Sequence, residues 1–199
     1  MFPDFLENPS DVAAPLLLGC TLTRTITLNG EKHKLVARIV ETEAYDQDDP
    51  ASHAFGGPSE RNAAMFGPAG HLYVYVSYGM HHCCNIVCGP EGFGSGCLVR
   101  AVEPLEGVEV MRELREAGRA GKHSLKLRDL TNGPGKVCAA LGIDKELYGH
   151  DLTVEPLMLD FAPLLPGETI GSSPRVGISK NVDAPKRFFI EENAFVSRA

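Results

Sequence analysis

Thr21 to Leu28 reads Thr-Leu-Thr-Arg-Thr-Ile-Thr-Leu and is followed at once by Asn29-Gly30. Period-two alternation sets Leu22, Arg24, Ile26 and Leu28 on one face of a strand, and Asn-Gly suits the left-handed backbone of a two-residue hairpin turn. Leu35 to Val40 then resumes a β-rich run. The pattern predicts an antiparallel hairpin whose second strand runs directly into Glu41-Thr42-Glu43.

The rest of the chain extends that reading. Asp46 to Arg61 is rich in Asp, Pro, Gly and Ser and predicts a long loop of the kind that is usually functional. His71 to Ser77 predicts a strand with Tyr73 and Tyr75 on one face and Val74 and Val76 on the other, broken by Tyr78-Gly79-Met80. His82 to Val87 pairs with it, and Gly96 to Val102 reads as a further buried strand. Leu105, Val108, Met111 and Leu114 lie near helical spacing and predict a helix over Pro104 to Ala117, with Gly118 as its stop. A second helix is expected after Gly133-Pro134-Gly135, with Gly142 as its stop. Residues 152 to 190 return to strand-like segments. The expectation is an α+β fold dominated by antiparallel strands, forming a single domain over residues 1–199, a length that can bury a sizeable core.

Composition narrows the function classes. There is no run of about 18 apolar residues and no basic-then-apolar start, so an intracellular, soluble protein without a membrane partner is expected. The six cysteines form no Cys-x-x-Cys pair and crowd centrally, which predicts reduced thiols rather than a disulfide framework. The formal charge of −7 weighs against broad nucleic-acid affinity, because Lys and Arg carry duplex binding.

Several groups are candidates for chemistry. Glu41 and Glu43, two apart on a strand, share a face at about 6.6 to 6.8 Å, near the spacing of paired carboxylates in sugar-cleaving enzymes. Both could equally be solvated at a strand end. Tyr73, Tyr75 and Tyr78 either pack ordinarily or offer faces to a planar, cationic ligand. His81-His82-Cys83-Cys84 has ligand-type side chains, but neighbours on a strand diverge and no second cluster completes a site, so no metal is expected. Gly133-Pro134-Gly135-Lys136 is either a plain helix start or a phosphate contact. The basic run Arg112 to Arg128 is interleaved with acids and reads as a solvated face more readily than a DNA patch.

Taken in order, Glu41-Thr42-Glu43-Ala44-Tyr45, His53, Arg61-Asn62 with Met65-Phe66, Leu72-Tyr73-Val74-Tyr75 through Tyr78-Gly79-Met80, Asn85, and Arg100 to Gly107 resemble the alkyladenine (3-methyladenine) DNA glycosylase family. Gly133 to Lys136, Leu141-Gly142-Ile143 and Arg175 to Ile178 fall in the same order, so the resemblance covers roughly residues 15 to 198. It departs at His82, where an aromatic residue is the pattern, and in a less basic tail from Lys180 to Arg187.

The resemblance implies a curved antiparallel sheet with surrounding helices and a protruding, DNA-intercalating β-hairpin. It implies a monofunctional enzyme that flips out 3-methyladenine, 7-methylguanine, ethenoadenine or hypoxanthine and hydrolyses the N-glycosidic bond, leaving an abasic site. Glu43 would activate the water with help from Arg100 and the Val176 carbonyl. Tyr45, His53 and Tyr75 would hold the base, and Asn85 would reject guanine. Tyr78 would wedge into the duplex, with Met80, His81, Ser59 and Lys136 also at the DNA. Damaged double-stranded DNA is then the partner, met by a monomer without cofactor in a prokaryotic cytoplasm or a nucleus, with Arg61, Arg100, Lys136, Arg175, Lys180, Lys186 and Arg187 as the local positive charge. Two other readings stand beside it: a non-catalytic nucleic-acid-binding module, and a sugar hydrolase using Glu41 and Glu43 as a pair.

Overall fold

The predicted hairpin forms with the register that its turn requires. In the computed structural model, which describes residues 4–117 and 124–197, β1 (Thr21–Leu28) pairs with β2 (Glu31–Asp46) from Thr21↔Arg38 to Leu28↔Glu31. Asn29 and Gly30 both take positive φ, at 53° and 86°. The second strand is longer than the sequence pattern suggests, at 16 residues, and is buried without a break from Ala37 to Ala44. It is the centre of an eight-stranded sheet in the order β3-β4-β5-β2-β1-β6, completed by β3 (Leu72–Ser77), β4 (His81–Val87), β5 (Ser95–Glu106) and β6 (Leu157–Asp160). β7 (Ile170–Ser173) pairs with β8 (Arg187–Ile190), which in turn pairs with Glu41 to Glu43 of β2.

All these pairings are antiparallel, and the sheet curls. The β2–β5 register slips between Val36 and Ala37 and again on both sides of Glu41. Such bulges bend a strand and re-aim its side chains, and here two of the three flank Glu41. α1 (Ser10–Leu16), α2 (Val108–Glu116) and α3 (Pro134–Leu141) pack against the sheet, with Leu17, Ile39, Val99, Met111 and Leu141 among the fully buried core. Thr42 donates its hydroxyl to the Ala14 carbonyl at 2.8 Å, which fastens α1 to β2. Among the described residues no helix is long and apolar enough to cross a membrane. The six cysteines are free and buried.

One expected element is corrected. Pro104 to Glu106 continue β5, with Pro104 opposite Ala37, and the helix begins only at Val108. Gly107, at φ 76°, makes the turn between them, and Leu105 stays half exposed instead of joining an apolar helix face. The strand wins because β2 supplies a continuous pairing edge as far as Val36, whereas a helical stripe through Leu105 has nothing to face. The predicted stop at Gly118 lies outside the described residues. Arg112 and Arg115, from the basic run, donate to the Leu125 and Leu130 carbonyls, so they hold the following segment in place. The α3 boundaries agree with the sequence reading, and Gly142 ends that helix at φ 57°.

A Cβ on Gly107 would lie 2.5 Å from Leu35 Cδ2 and 2.7 Å from the Lys34 carbonyl. Gly107→Ala should therefore cost about 1–3 kcal/mol, read as a drop of several degrees in Tm by calorimetry. Gly30→Ala, also left-handed but with open space around it, should cost less.

Candidate active site

β2, β3, β4 and β5 end around a cavity of about 560 Å³, closed on its other sides by residues 50–53 and 176–180. Its walls are aromatic and its buried end is charged. Tyr73 and Tyr75, on one face of β3 as alternation requires, lie with ring centroids 5.6 Å apart and nearly parallel. His53, from the long loop, sets its ring edge-on to Tyr75 at 4.5 Å, and its Nδ1 lies 3.0 Å from the Tyr73 hydroxyl. Desolvation against these rings, with the Arg61 charge second, lowers the His53 pKa and favours the neutral imidazole. Burial pushes Tyr73 up to about 12 and Cys83, also in the wall, up to about 11. Burial likewise raises Tyr45 and Tyr75, so these buried rings remain uncharged around neutral pH.

Glu43 is fully buried and lines this cavity. The Tyr45 hydroxyl donates to its Oε2 at 2.8 Å, the Val176 amide donates to its Oε1 at 2.8 Å, and Arg100 Nη1 lies 3.2 Å from the same oxygen. Arg100 Nη1 also faces the Val176 carbonyl at 3.4 Å. The residues singled out from sequence as Glu43, Tyr45, Arg100 and Val176 thus converge on one carboxylate. Asn85, buried on β4 opposite Leu98, completes the wall.

Glu41 shares the face but not the cavity. Its carboxylate accepts from Arg100 Nε at 2.9 Å, Arg187 Nε at 2.6 Å, the Ser197 hydroxyl at 2.8 Å and the Ser197 amide at 2.6 Å. It is absent from the cavity lining. A two-acid mechanism needs both carboxylates at the reacting bond, so the paired sugar-hydrolase alternative has no geometry to support it.

Tyr78 and Gly79 form the two left-handed positions of the β3–β4 turn, at φ 50° and 69°, closed by the Met80 amide donating to the Ser77 carbonyl at 3.2 Å. Tyr78 and Met80 are 86% and 74% exposed, an uncommon placement for large apolar side chains beside a cavity that Tyr78 also lines. His81 is exposed next to them and packs against the first turn of α3, whose Lys136 donates to the Asn132 side chain at 2.7 Å. Ser59 is exposed on the long loop, where it donates to Asn62 Oδ1 at 2.9 Å.

The expected cationic face is corrected. Arg100 and Arg187 are buried on Glu41, Arg175 is buried on Asp49 at 2.7 Å, and Lys186 lies 3.3 Å from Asp46 and 3.6 Å from Asp49. Of the seven, Arg61 and Lys180 remain exposed, with Lys136 partly so. Tyr73, offered from sequence as one of a tyrosine cluster that could face a planar ligand, lines the cavity, whereas sequence reasoning passed over Cys83 as a lining residue and Arg175 as the neighbour of Tyr45. No signal existed for Arg175, which reaches Tyr45 across 130 residues of chain.

With that geometry in place, comparison with known proteins is informative. Residues 4–194 match the model of a family described as methylpurine-DNA glycosylase. A protein of Nitrosospira multiformis is 47% identical over 98% of this chain and 92% of its own length. One from Agrobacterium fabrum is 52% identical over 80% and 77%, and one from Carboxydothermus hydrogenoformans 43% identical over 94% and 93%. All three carry the assigned name 3-methyladenine DNA glycosylase.

Two predictions follow from the buried charges. Glu41→Gln removes the negative charge shared by two buried guanidinium groups and should destabilise the fold by about 3–5 kcal/mol, measured by chemical denaturation. Burial alone would raise Asp49, but Arg175, the Ala51 amide and Asn181 overcome it and hold the carboxyl at about 2. A lowered folded-state value stabilises above the ordinary 3.8 and is lost as pH falls towards 2. Asp49→Asn should therefore flatten the loss of stability between pH 4 and 2, seen in Tm against pH.

Proposed function

The chain belongs to the methylpurine-DNA glycosylase family, and from that premise we propose that it removes alkylated and deaminated purines from duplex DNA by water attack, as a monofunctional, monomeric enzyme without metal or cofactor. The observation that carries the proposal is Glu43: one buried carboxylate, held by three separate groups, opening on a cavity walled by neutral aromatic rings.

The mechanism begins with access. A base in the stack is out of reach of any buried side chain, so the nucleotide must rotate out, at a cost of a few kcal/mol that damage lowers. Tyr78 and Met80 stand exposed at a turn on the cavity rim, where insertion into the duplex fills the gap left behind. The extruded purine then stacks against Tyr45, His53 and Tyr75, whose faces attract a planar cation such as a methylated purine. Asn85, fixed on β4, rejects the exocyclic amine of normal guanine. His81, Ser59 and Lys136 contact the strand outside the cavity.

A methylated purine leaves readily because its ring is already positive. What remains is to place a water, take its proton and stabilise the positive sugar, all of which one carboxylate supports. Glu43 takes the proton. Arg100 binds Glu43 and the Val176 carbonyl together, and that carbonyl keeps a lone pair for the attacking water. The products are the free base and an abasic site with the strand intact.

The test incubates the protein with duplexes carrying 3-methyladenine, 7-methylguanine, 1,N6-ethenoadenine or hypoxanthine, then treats them with alkali. Methylated purines should be released, with no nicking before alkali. Glu43→Gln should lower single-turnover release by about 10²–10⁴-fold with duplex binding retained. Release of none of the four by the wild type, or full activity in Glu43→Gln, sinks the proposal.

A further inference from the structure

We propose that Arg175 is a positioning residue for Glu43, acting through the ring of Tyr45 and the amide of Val176, with Asp49 as its anchor. This rests on the glycosylase reading above. Arg175 does not line the cavity, and its side chain is completely buried. A buried guanidinium is costly unless each of its groups is used, which makes its placement informative. One edge is used: Nη1 donates to the Ala44 carbonyl at 2.9 Å and pairs with Asp49 at 2.7 Å. Nε and Nη2 are buried with no hydrogen-bond partner among the described residues. Instead the guanidinium carbon lies 4.6 Å from the centroid of the Tyr45 ring. The charge therefore sits against the very tyrosine whose hydroxyl donates to Glu43.

The backbone makes the second link. Arg175 and Val176 are consecutive, so fixing the Arg175 guanidinium on β2 fixes the amide that donates to Glu43 and the carbonyl that faces Arg100. Asp49 adds a third consequence. It stands one residue before the wall segment Pro50 to His53, while Arg175 stands one residue before the wall segment Val176 to Lys180. Their ion pair clasps the two loops that close the cavity, and Asn181 and Lys186 reinforce it on Asp49 at 3.2 and 3.6 Å.

Removing the Arg175 cation takes away the charge against the Tyr45 ring and the side-chain anchor of the residue before Val176, so its effect is read at the hydroxyl that donates to Glu43 and in the rate.

Single-turnover release of 7-methylguanine is measured at pH 7 for wild type, Arg175→Gln and Arg175→Lys, alongside duplex affinity. The Tyr45 hydroxyl proton, one of five tyrosines and identified by its loss in Tyr45→Phe, is followed by NMR. Arg175→Gln should lower the rate by roughly tenfold or more, leave duplex affinity unchanged and lose the slowly exchanging hydroxyl signal. Arg175→Lys, which keeps the charge, should recover both rate and signal. Should Arg175→Gln fail to fold, Arg175→Met with Asp49→Asn removes the pair without stranding a charge, and should lose rate and hydroxyl signal alike. A loss of rate with the hydroxyl signal intact, or a lysine variant that behaves like glutamine, overturns the proposal. Wild-type protein that releases no base while its hydroxyl signal still depends on Arg175 would overturn the glycosylase reading and leave the positioning role supported.

Discussion

Two carboxylates placed in the buried stretch of β2 govern this structure, because an ionised group without partners in an apolar interior would cost more than most folds can spare. Glu41 meets that demand with four hydrogen bonds drawn from three separate places: Arg100 on β5, Arg187 on β8, and Ser197 near the C-terminus. Each partner must therefore be brought to β2, which is why the sheet branches at Glu41 to Glu43 and accepts β8 there. The bulges around Glu41 serve the same requirement by bending β2 where its edge passes from one partner strand to another. Neither guanidinium could be buried there without Glu41, and Glu41 could not be buried without them.

Glu43 exploits the scaffold that Glu41 secures. Arg100 touches both acids, through Nε to Glu41 and through Nη1 to Glu43. The bond to Glu41 fixes the plane of the guanidinium and leaves its other edge directed at Glu43 and the Val176 carbonyl. Glu43 itself is held by groups that also face the cavity: the Tyr45 hydroxyl, the Val176 amide and Arg100. On the proposed reaction, the first carboxylate is structural and the second chemical, although both stand on one strand two residues apart and are equally inaccessible to solvent. Spacing alone cannot separate the roles, since what divides them is the company each keeps across the fold.

That division also marks how far the sequence was legible. The β1–β2 hairpin, the β3–β4 pair with Tyr78 at its turn, and α3 between Pro134 and Gly142 could be read in advance because their signals are local: alternation, a left-handed turn, a glycine stop. The Pro104 to Ala117 expectation failed for the complementary reason. Its apolar spacing is truly helical from Val108 onward, but Leu105 belongs to β5, and only the distant edge of β2 decides that. Within the site, Glu43, Tyr45, His53, Tyr75 and Asn85 came from an ordered resemblance, and they line one cavity. Arg175 and Arg187 read as surface cations because nothing near them in sequence announces Asp49 or Glu41 as partners. A lone arginine in a polar stretch reads the same whether it faces solvent or a buried acid.

The fate of those arginines bears on how an acidic chain meets DNA. With a net charge of −7 and Arg100, Arg175, Arg187 and Lys186 occupied by carboxylates of the fold, few cations remain near the cavity to neutralise phosphates. Non-specific affinity scales with the number of phosphates neutralised, so few free cations favour weak binding to undamaged duplex. On the proposed reaction, discrimination then rests on what happens at the lesion itself: insertion of the exposed Tyr78, and stacking of a cationic purine among rings whose ionisation burial suppresses. Those contacts exist only when a base has left the stack, and they are strongest for a positive one. One of the charges withheld from the surface, Arg100, binds Glu43 directly, so on the proposed reaction the fold spends a cation that could have met phosphate on the carboxylate that acts on the damaged base.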